Sequence, residues 1–358
     1  MEFVGFLYLW GMKTLKLHFI LVVLLGLAAC STDVDLYADY KDVPIVYGLL
    51  EAKADTNYVK ITRAFCGSND NPVNANLVAP IADSSNYPGK LTAFFDELQS
   101  THNRPFQPTG RRFYLDTLTI HNKQDGLFYA PHQKLYYTTE RFQPSNASNK
   151  YRYKLHIVKP DYDTVVAETS VVGGDISVGS TVSFQATPTS ALSTLLFSST
   201  EEAVLYEFVM RFHYWEQHTG QPMTRKEVSW SYGARPLTAF EKVEGTDNFY
   251  RLYYSMNSLF NVLGRAIGND TVWDQNHPNV IRYIDNFEIL VAAAGEDFNN
   301  SYQTFQTMQN GLSLSSGYTN VQGGYGLLSS RIMVLNEAKI SSTAKLDLFR
   351  KPWGFRER

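Results

Sequence analysis

The sequence predicts a mainly β protein with minor α: an N-terminal antiparallel β-sandwich over 43–173, then a second β-rich domain over 194–349 carrying about two helices. Three observations predict it. Short runs rich in Val, Ile, Thr, Tyr and Phe recur along the chain with turn residues between them. Up to residue 172 these runs follow one another with no helical period between them, the pattern of an antiparallel sandwich. Helical spacing first appears after residue 255.

Taken in order, the first two strands are VPIVYGLL (43–50) and YVKITRAF (58–65). The second alternates, with Tyr58, Lys60, Thr62 and Ala64 on one face and Val59, Ile61, Arg63 and Phe65 on the other. The polar link between them suits a hairpin longer than two residues. A loop rich in Asn, Ser, Asp and Pro covers 66–88, longer than compact domains usually carry without purpose. Strands are then expected at 90–98, 112–121, 134–139, 151–158 and 164–172, with turns at 124–126, 144–146 and 159–161. Residues 174–193, rich in Ser, Thr and Pro, read as a linker or connecting strand.

The second half opens with strands at 194–198 and 204–215, the latter returning through 224–232 as a hairpin across 218–222. Ser255 suits the N-cap of a first helix whose stripe is Met256, Leu259, Phe260, Leu263 and Ile267, with Gly268 as its stop. After an apolar strand at 287–294, Glu296 and Asp297 complement the N-terminus of a second helix bearing Phe298, Tyr302 and Phe305. Gly323, Gly324 and Gly326 permit a tight turn beside the final strand. The basic tail 350–358 is expected to be a solvated end.

Upstream of all this lies KTLKLHFILVVLLGLAAC (13–30): a basic n-region, about ten apolar residues, then small residues before Cys30. Residues 1–29 are thus expected to be a signal peptide, too short and wrongly flanked for a spanning helix. The stretch before Met12 carries one acid and no base, so Met12 makes the better start. Leu27-Ala28-Ala29-Cys30 resembles the bacterial lipobox, whose cysteine is lipidated and becomes the new first residue. On that resemblance Cys30 is the lipidation site, residues 30–42 are the tether, and lipid on Cys30 attaches the body to a membrane. Several acyl chains, as that class receives, make attachment effectively permanent. Ser31, rather than Asp, after the cysteine favours the outer membrane by the same resemblance, with the body facing the periplasm or the cell surface.

With 32 basic against 35 acidic residues there is no basic field for nucleic acid and no polybasic patch for anionic lipid. The 23 Tyr, 22 Phe and 5 Trp serve strand packing or, on an exposed face, stacking platforms for a glycan or peptide. Cys66 is the second of only two cysteines, so with Cys30 lipidated no intramolecular disulfide forms.

No catalytic constellation emerges. Eight histidines are scattered with no metal-ligand spacing, and His213 and His218 fall on opposite faces of a strand. Ser342-Thr-Ala-Lys345 matches S-x-x-K without its companion motifs and reads as a surface segment. The carboxylate neighbours Asp96-Glu97, Glu201-Glu202 and Glu296-Asp297 would diverge along a strand, so no acid/base pair is ready for glycoside hydrolysis. No metal, cofactor or catalytic residue is therefore expected. Asp-Thr-aliphatic tripeptides at 116–118, 163–165 and 270–272 resemble bacterial O-glycosylation acceptors, which makes Thr117, Thr164 and Thr271 candidate modification sites.

The chain resembles uncharacterised Bacteroidetes-type outer-membrane lipoproteins catalogued as domain of unknown function 4249. The resemblance rests on the two opening strands at 43–50 and 58–65, on FVMRFHY (208–214) and on YTNVQGGYGL (318–327), and it spans nearly all of the body. Such proteins are often encoded beside TonB-dependent receptors. The resemblance implies a non-catalytic accessory role, capturing a ligand or assembling a transport complex, with an outer-membrane receptor as the implied partner. An envelope hydrolase acting on glycan or peptide and a structural or adhesive surface module are the alternative expectations.

Overall fold

Among the described residues of the first half, eight strands form: β1 (Pro44–Leu50), β2 (Asn57–Arg63), β3 (Thr92–Thr101), β4 (Gln107–Tyr114), β5 (Asp116–Ile120), β6 (Gln133–Thr138), β7 (Asn149–Val158) and β8 (Thr164–Ser170). The second half adds β9 (Thr181–Val182), β10 (Leu192–Ser198), β11 (Leu205–His218), β12 (Thr224–Ser231), β13 (Arg235–Pro236), β14 (Glu241–Lys242), β15 (Phe249–Ser255), α1 (Met256–Ile267), β16 (Val280–Ala294), α2 (Glu296–Gln309), β17 (Val321–Gln322), β18 (Tyr325–Ile340), α3 (Ser342–Arg350) and β19 (Phe355–Arg356). This is a computed structural model, describing residues 42–64, 85–102, 104–121, 132–160, 163–182, 192–267, 279–311 and 317–357. All of these belong to one unit, Asp42–Phe65 with Asn74–Arg358. Among the described residues 54% are strand and 15% helix, so the fold is mainly β with minor α.

The strands form a long mixed sheet in the order β12-β11-β16-β18-β1-β2-β6-β5, a five-stranded sheet β17-β8-β7-β3-β4, and a small sheet β10-β15-β14. A first core lies among strands of the first two sheets, where Val46, Leu50, Val59, Ile61 and Tyr136 join Phe95, Tyr153, Leu155, Ile157 and Val165. Phe142 fills its centre edge-on to Phe95, Phe113 and Tyr153, with ring centroids 5.2, 5.4 and 4.6 Å away. The second core packs β11, β16 and β18 against β10, β15, α1 and α3 through Phe208, Phe212, Phe287, Phe197, Leu259 and Leu348. Each such side chain contributes about 1.5–3 kcal/mol on burial.

The alternation read in the second strand holds: Val59 and Ile61 point inward and Tyr58 outward. The β11–β12 hairpin forms as expected. In α1, Leu259, Leu263 and Ile267 are buried, and Ser255 Oγ accepts the Asn257 amide at 3.3 Å. The loop over 66–84, the turn at 124–126, Cys66 and Gly268 lie outside the described residues.

Five expectations are corrected. The first core is not closed by N-terminal antiparallel strands alone. β1 pairs in parallel with β18, and β17 extends the five-stranded sheet at β8, lending Leu328 and Val321 to that core. Residues 112–121 are not one strand: Leu115 is buried between β4 and β5, which belong to different sheets. Within the expected connection, residues 176–182 pack as well as connect: Ile176 is buried and β9 pairs in parallel with β18 at Lys339–Ile340. Ser342, Thr343 and Lys345 are exposed, as a surface segment requires, but the segment opens a third helix, α3, not expected from the sequence. Ser341 caps it by accepting the Ala344 amide at 3.3 Å, and Ala344 and Leu348 at i, i+4 are buried. The tail is no solvated end, since β19 pairs with β16 and Phe355 is buried against Phe212 and Tyr214.

The glycine-rich turn is explained by β18 itself. Gly326 has φ +124°, and a Cβ there would lie 1.9 Å from the Val46 carbonyl oxygen. Only glycine lets β18 approach β1 this closely.

Candidate functional site

Two surfaces present chemistry. The first is the outward face of β18, β1, β2, β6 and β5. Period-2 alternation sends Val46, Val59 and Tyr136 into the core and therefore sends their neighbours outward. Across the strands Tyr47 stands beside Leu327 and Lys60, Ile45 beside Tyr325, Tyr58 beside Tyr137, and Leu118 beside Leu135. Tyr325 is 57% exposed, Tyr47 56%, Tyr58 45% and Leu118 42%. The Tyr58 and Tyr137 rings lie 6.3 Å apart. A solvated sheet face is normally polar, and the tyrosines of β18, β1, β2 and β6 with Leu118 of β5 make this one unusually apolar. It stops where α2 covers Ser329, whose Oγ accepts the Phe298 amide at 3.1 Å.

The second is a cleft of about 600 Å³ where β16 and β18 part. Their pairing ends at Phe287 and Ala338; beyond it β16 turns to β19 and β18 to β9. Asp285, Asn286, Glu337, Lys339 and Lys345 line the gap. A bulge aims the acid: the register of β11 and β16 shifts between Phe212 and Tyr214, so Asp285 and Asn286 together oppose the single residue His213.

A charged chain runs through that bulge. Arg225 donates to Asp285 Oδ2 at 2.7 Å and to Asn286 Oδ1 at 3.2 Å. Asn286 Nδ2 donates to Glu288 Oε1 at 3.2 Å, and His213 Nε2 meets Glu288 Oε2 at 3.0 Å. The hydrogen bond from Arg225 holds the Asp285 carboxyl below the usual range. Burial works against ionised Glu288, but its bond to His213 and that ring's charge outweigh it, so its pKa is also lowered. Both acids stay ionised near neutrality; neither suits a general acid, which needs a raised pKa.

The carboxylate neighbours divide. Asp96 and Glu97 diverge as expected: Asp96 pairs with Arg112 at the surface, whereas buried Glu97 accepts from Tyr153 at 2.7 Å and Arg111 at 3.0 Å. Glu201 and Glu202 lie in a turn rather than a strand and both approach Lys150, at 3.9 and 3.2 Å. The opposite-face argument therefore does not apply to them. Asp297 opens α2 and accepts from Tyr318 at 2.7 Å and Thr169 at 3.1 Å. Burial, reinforced by the bond to Asp297, pushes the Tyr318 hydroxyl up to about 12.

Thr164 is exposed at the start of β8, while Thr117 is half-buried opposite fully buried Tyr136. Cys30 and Thr271 lie outside the described residues. Among the described residues no three His, Cys, Asp or Glu side chains could together hold a metal ion, and no helix is long and apolar enough to cross a membrane. The histidine spacing did miss one juxtaposition: His121 and His132 meet across the β5–β6 hairpin, 2.9 Å apart. No family model matches this chain, and no curated protein matches it.

Proposed function

We propose that the protein is a non-catalytic outer-membrane lipoprotein, anchored through Cys30, that serves as an accessory ligand-binding or assembly component of a TonB-dependent-type envelope transport system. The observation that carries this reading is the sheet face bearing exposed Tyr47, Tyr58, Leu118 and Tyr325, because exposed aromatic and apolar side chains gathered on one face suit a protein partner. Tyrosines contribute contact area at small entropic cost and are enriched at binding hot spots. The lipobox-like segment and the resemblance to envelope lipoproteins favour the compartment, and the resemblance alone favours an outer-membrane receptor as partner. The test is a crosslinked pull-down of the tagged, lipidated protein from its native membrane, beside a Tyr47→Ser/Tyr58→Ser variant. A receptor captured by the native protein and lost with the variant supports the reading. A protein that migrates alone, or a variant that captures equally well, refutes it.

A second reading, an envelope hydrolase acting on glycan or peptide, is favoured by the carboxylates Asp285 and Glu337 lining one cleft. Its test is substrate turnover that disappears in Asp285→Asn while the fold is retained.

A further inference from the structure

We propose that His121 and His132 form a two-nitrogen chelate for a divalent transition metal, of the Cu(II) or Ni(II) class. The β5–β6 ladder pairs Asp116 with Tyr137 through Ile120 with Gln133, which makes His121 and His132 the next cross-strand pair. Directly opposed residues carry their Cβ atoms about 4.5–5.5 Å apart, within chelating reach for two imidazoles. Their Nδ1 atoms lie 2.9 Å apart, with ring centroids at 4.7 Å and ring planes at 87°.

The separation, also that of an N–H···N hydrogen bond, matches one coordination geometry better than another. Two imidazole nitrogens bound at about 2.05 Å and a right angle are about 2.9 Å apart, whereas a tetrahedral site spreads them to about 3.3 Å. The observed bite is that of neighbouring positions in a square-planar or octahedral site, which Cu(II) and Ni(II) favour over tetrahedral Zn(II). Where one ring donates its Nδ1–H to the other, metal binding at Nδ1 requires that ring's proton to sit on Nε2 instead, so each ring binds through an Nδ1 lone pair. Each lone pair then swings by about 45° from the N···N line, a soft rotation for an imidazole χ2.

The surroundings fit such a site. Both rings are exposed, so entry is open. The backbone is held, because Asn86 Nδ2 donates to the His132 carbonyl at 3.2 Å. Arg63 and Lys134 line the adjoining cleft beside His132, and Lys134 is engaged by the Tyr87 and Gly89 carbonyls at 2.8 and 2.7 Å. These cations oppose an ion held by charge alone, so the site takes metals that bond strongly to nitrogen rather than Mg²⁺ or Ca²⁺. Among the described residues no third acid, Cys or His joins the pair, and water or a ligand oxygen completes the coordination.

The test is titration of the full chain with Cu(II) and with Ni(II), by calorimetry and, for Cu(II), electron paramagnetic resonance, beside His121→Ala, His132→Ala and His132→Asn. The expected result is a 1:1 site that weakens at least tenfold in each variant. One fewer coupled nitrogen should appear in the Cu(II) spectrum, and circular dichroism should not change. Variants that bind as tightly as the native chain, or an unchanged nitrogen count, would overturn the proposal. So would a native chain that binds no more tightly than its own single-histidine variants.

Discussion

Replacing Arg282 with methionine removes the cation that joins the end of β11 to the C-terminal tail. Arg282 is 2% exposed. Its Nε donates to Glu216 Oε2 at 2.8 Å and its Nη1 to the Trp353 carbonyl at 2.7 Å. Glu216 is itself buried, with His218 on its other oxygen at 3.1 Å. Methionine keeps most of the apolar stem but leaves Glu216 Oε2 and the Trp353 carbonyl without their Arg282 donors in the interior. Breaking one side of a buried ion pair costs about 3–5 kcal/mol, because the remaining charge is desolvated without compensation. For a body of roughly 300 residues, an unfolding entropy near 2.1 cal/mol/K per residue makes 1 kcal/mol worth about 1.6 °C. The Arg282→Met midpoint should therefore fall by about 5–8 °C in calorimetry, with a matching loss in urea titrations. Phe355 and Arg356 pair with β16 next to this contact, so limited proteolysis should clip the tail sooner. The double variant Arg282→Met/Glu216→Leu should recover most of the loss, since an apolar pair of similar volume avoids the stranded charge. A single-variant loss below about 1 kcal/mol, or a double variant no better than the single, would refute the reasoning.

Gly326→Ala should cost at least about 3 kcal/mol, from positive-φ strain plus the clash with Val46, and should expose the β1–β18 seam to hydrogen exchange; ordinary protection there would contradict the close approach. The depressed carboxyls of Asp285 and Glu288 contribute stability that is present above about pH 4 and lost as pH falls through their folded values. Arg225→Met should therefore lower stability most at neutral pH and progressively less as pH falls through the folded value of Asp285, and a loss equal at neutral and acid pH would discount the ion pair. Tyr153→Phe leaves buried Glu97 without its 2.7 Å hydroxyl donor and should lower stability by about 1.5–3 kcal/mol at an unchanged urea slope; a change under 0.5 kcal/mol, or about that, would show the network to be redundant.

Local chemistry was legible where one strand or helix decides its own arrangement. The alternation at 58–63 assigned inward and outward faces, and the outward tyrosines followed from it. Asp297 at the start of α2 was readable too, although Phe305 of the predicted stripe is 54% exposed because that helix packs shallowly. The S-x-x-K match hid a helix start, since Ser341 and not Ser342 supplies the cap. The His121–His132 pair was within reach once strands ending at 121 and beginning near 134 were placed about a common turn, but scanning for helical ligand spacing passed over it.

The sequence by itself determined the β-rich class and the faces of individual strands, because each depends on side chains within a few residues of one another. Tertiary structure alone decided which strands meet. Alternation gives a strand two faces but no partner, so nothing local announced that β1 would pair in parallel with β18, close to the other end of the chain. The same holds for the cleft, which exists because β16 and β18 each change partner after Phe287 and Ala338, and for the bulge that turns Asp285 toward Arg225. Partner choice is fixed by the summed packing of both cores, a property of the folded whole and not of any window along the chain.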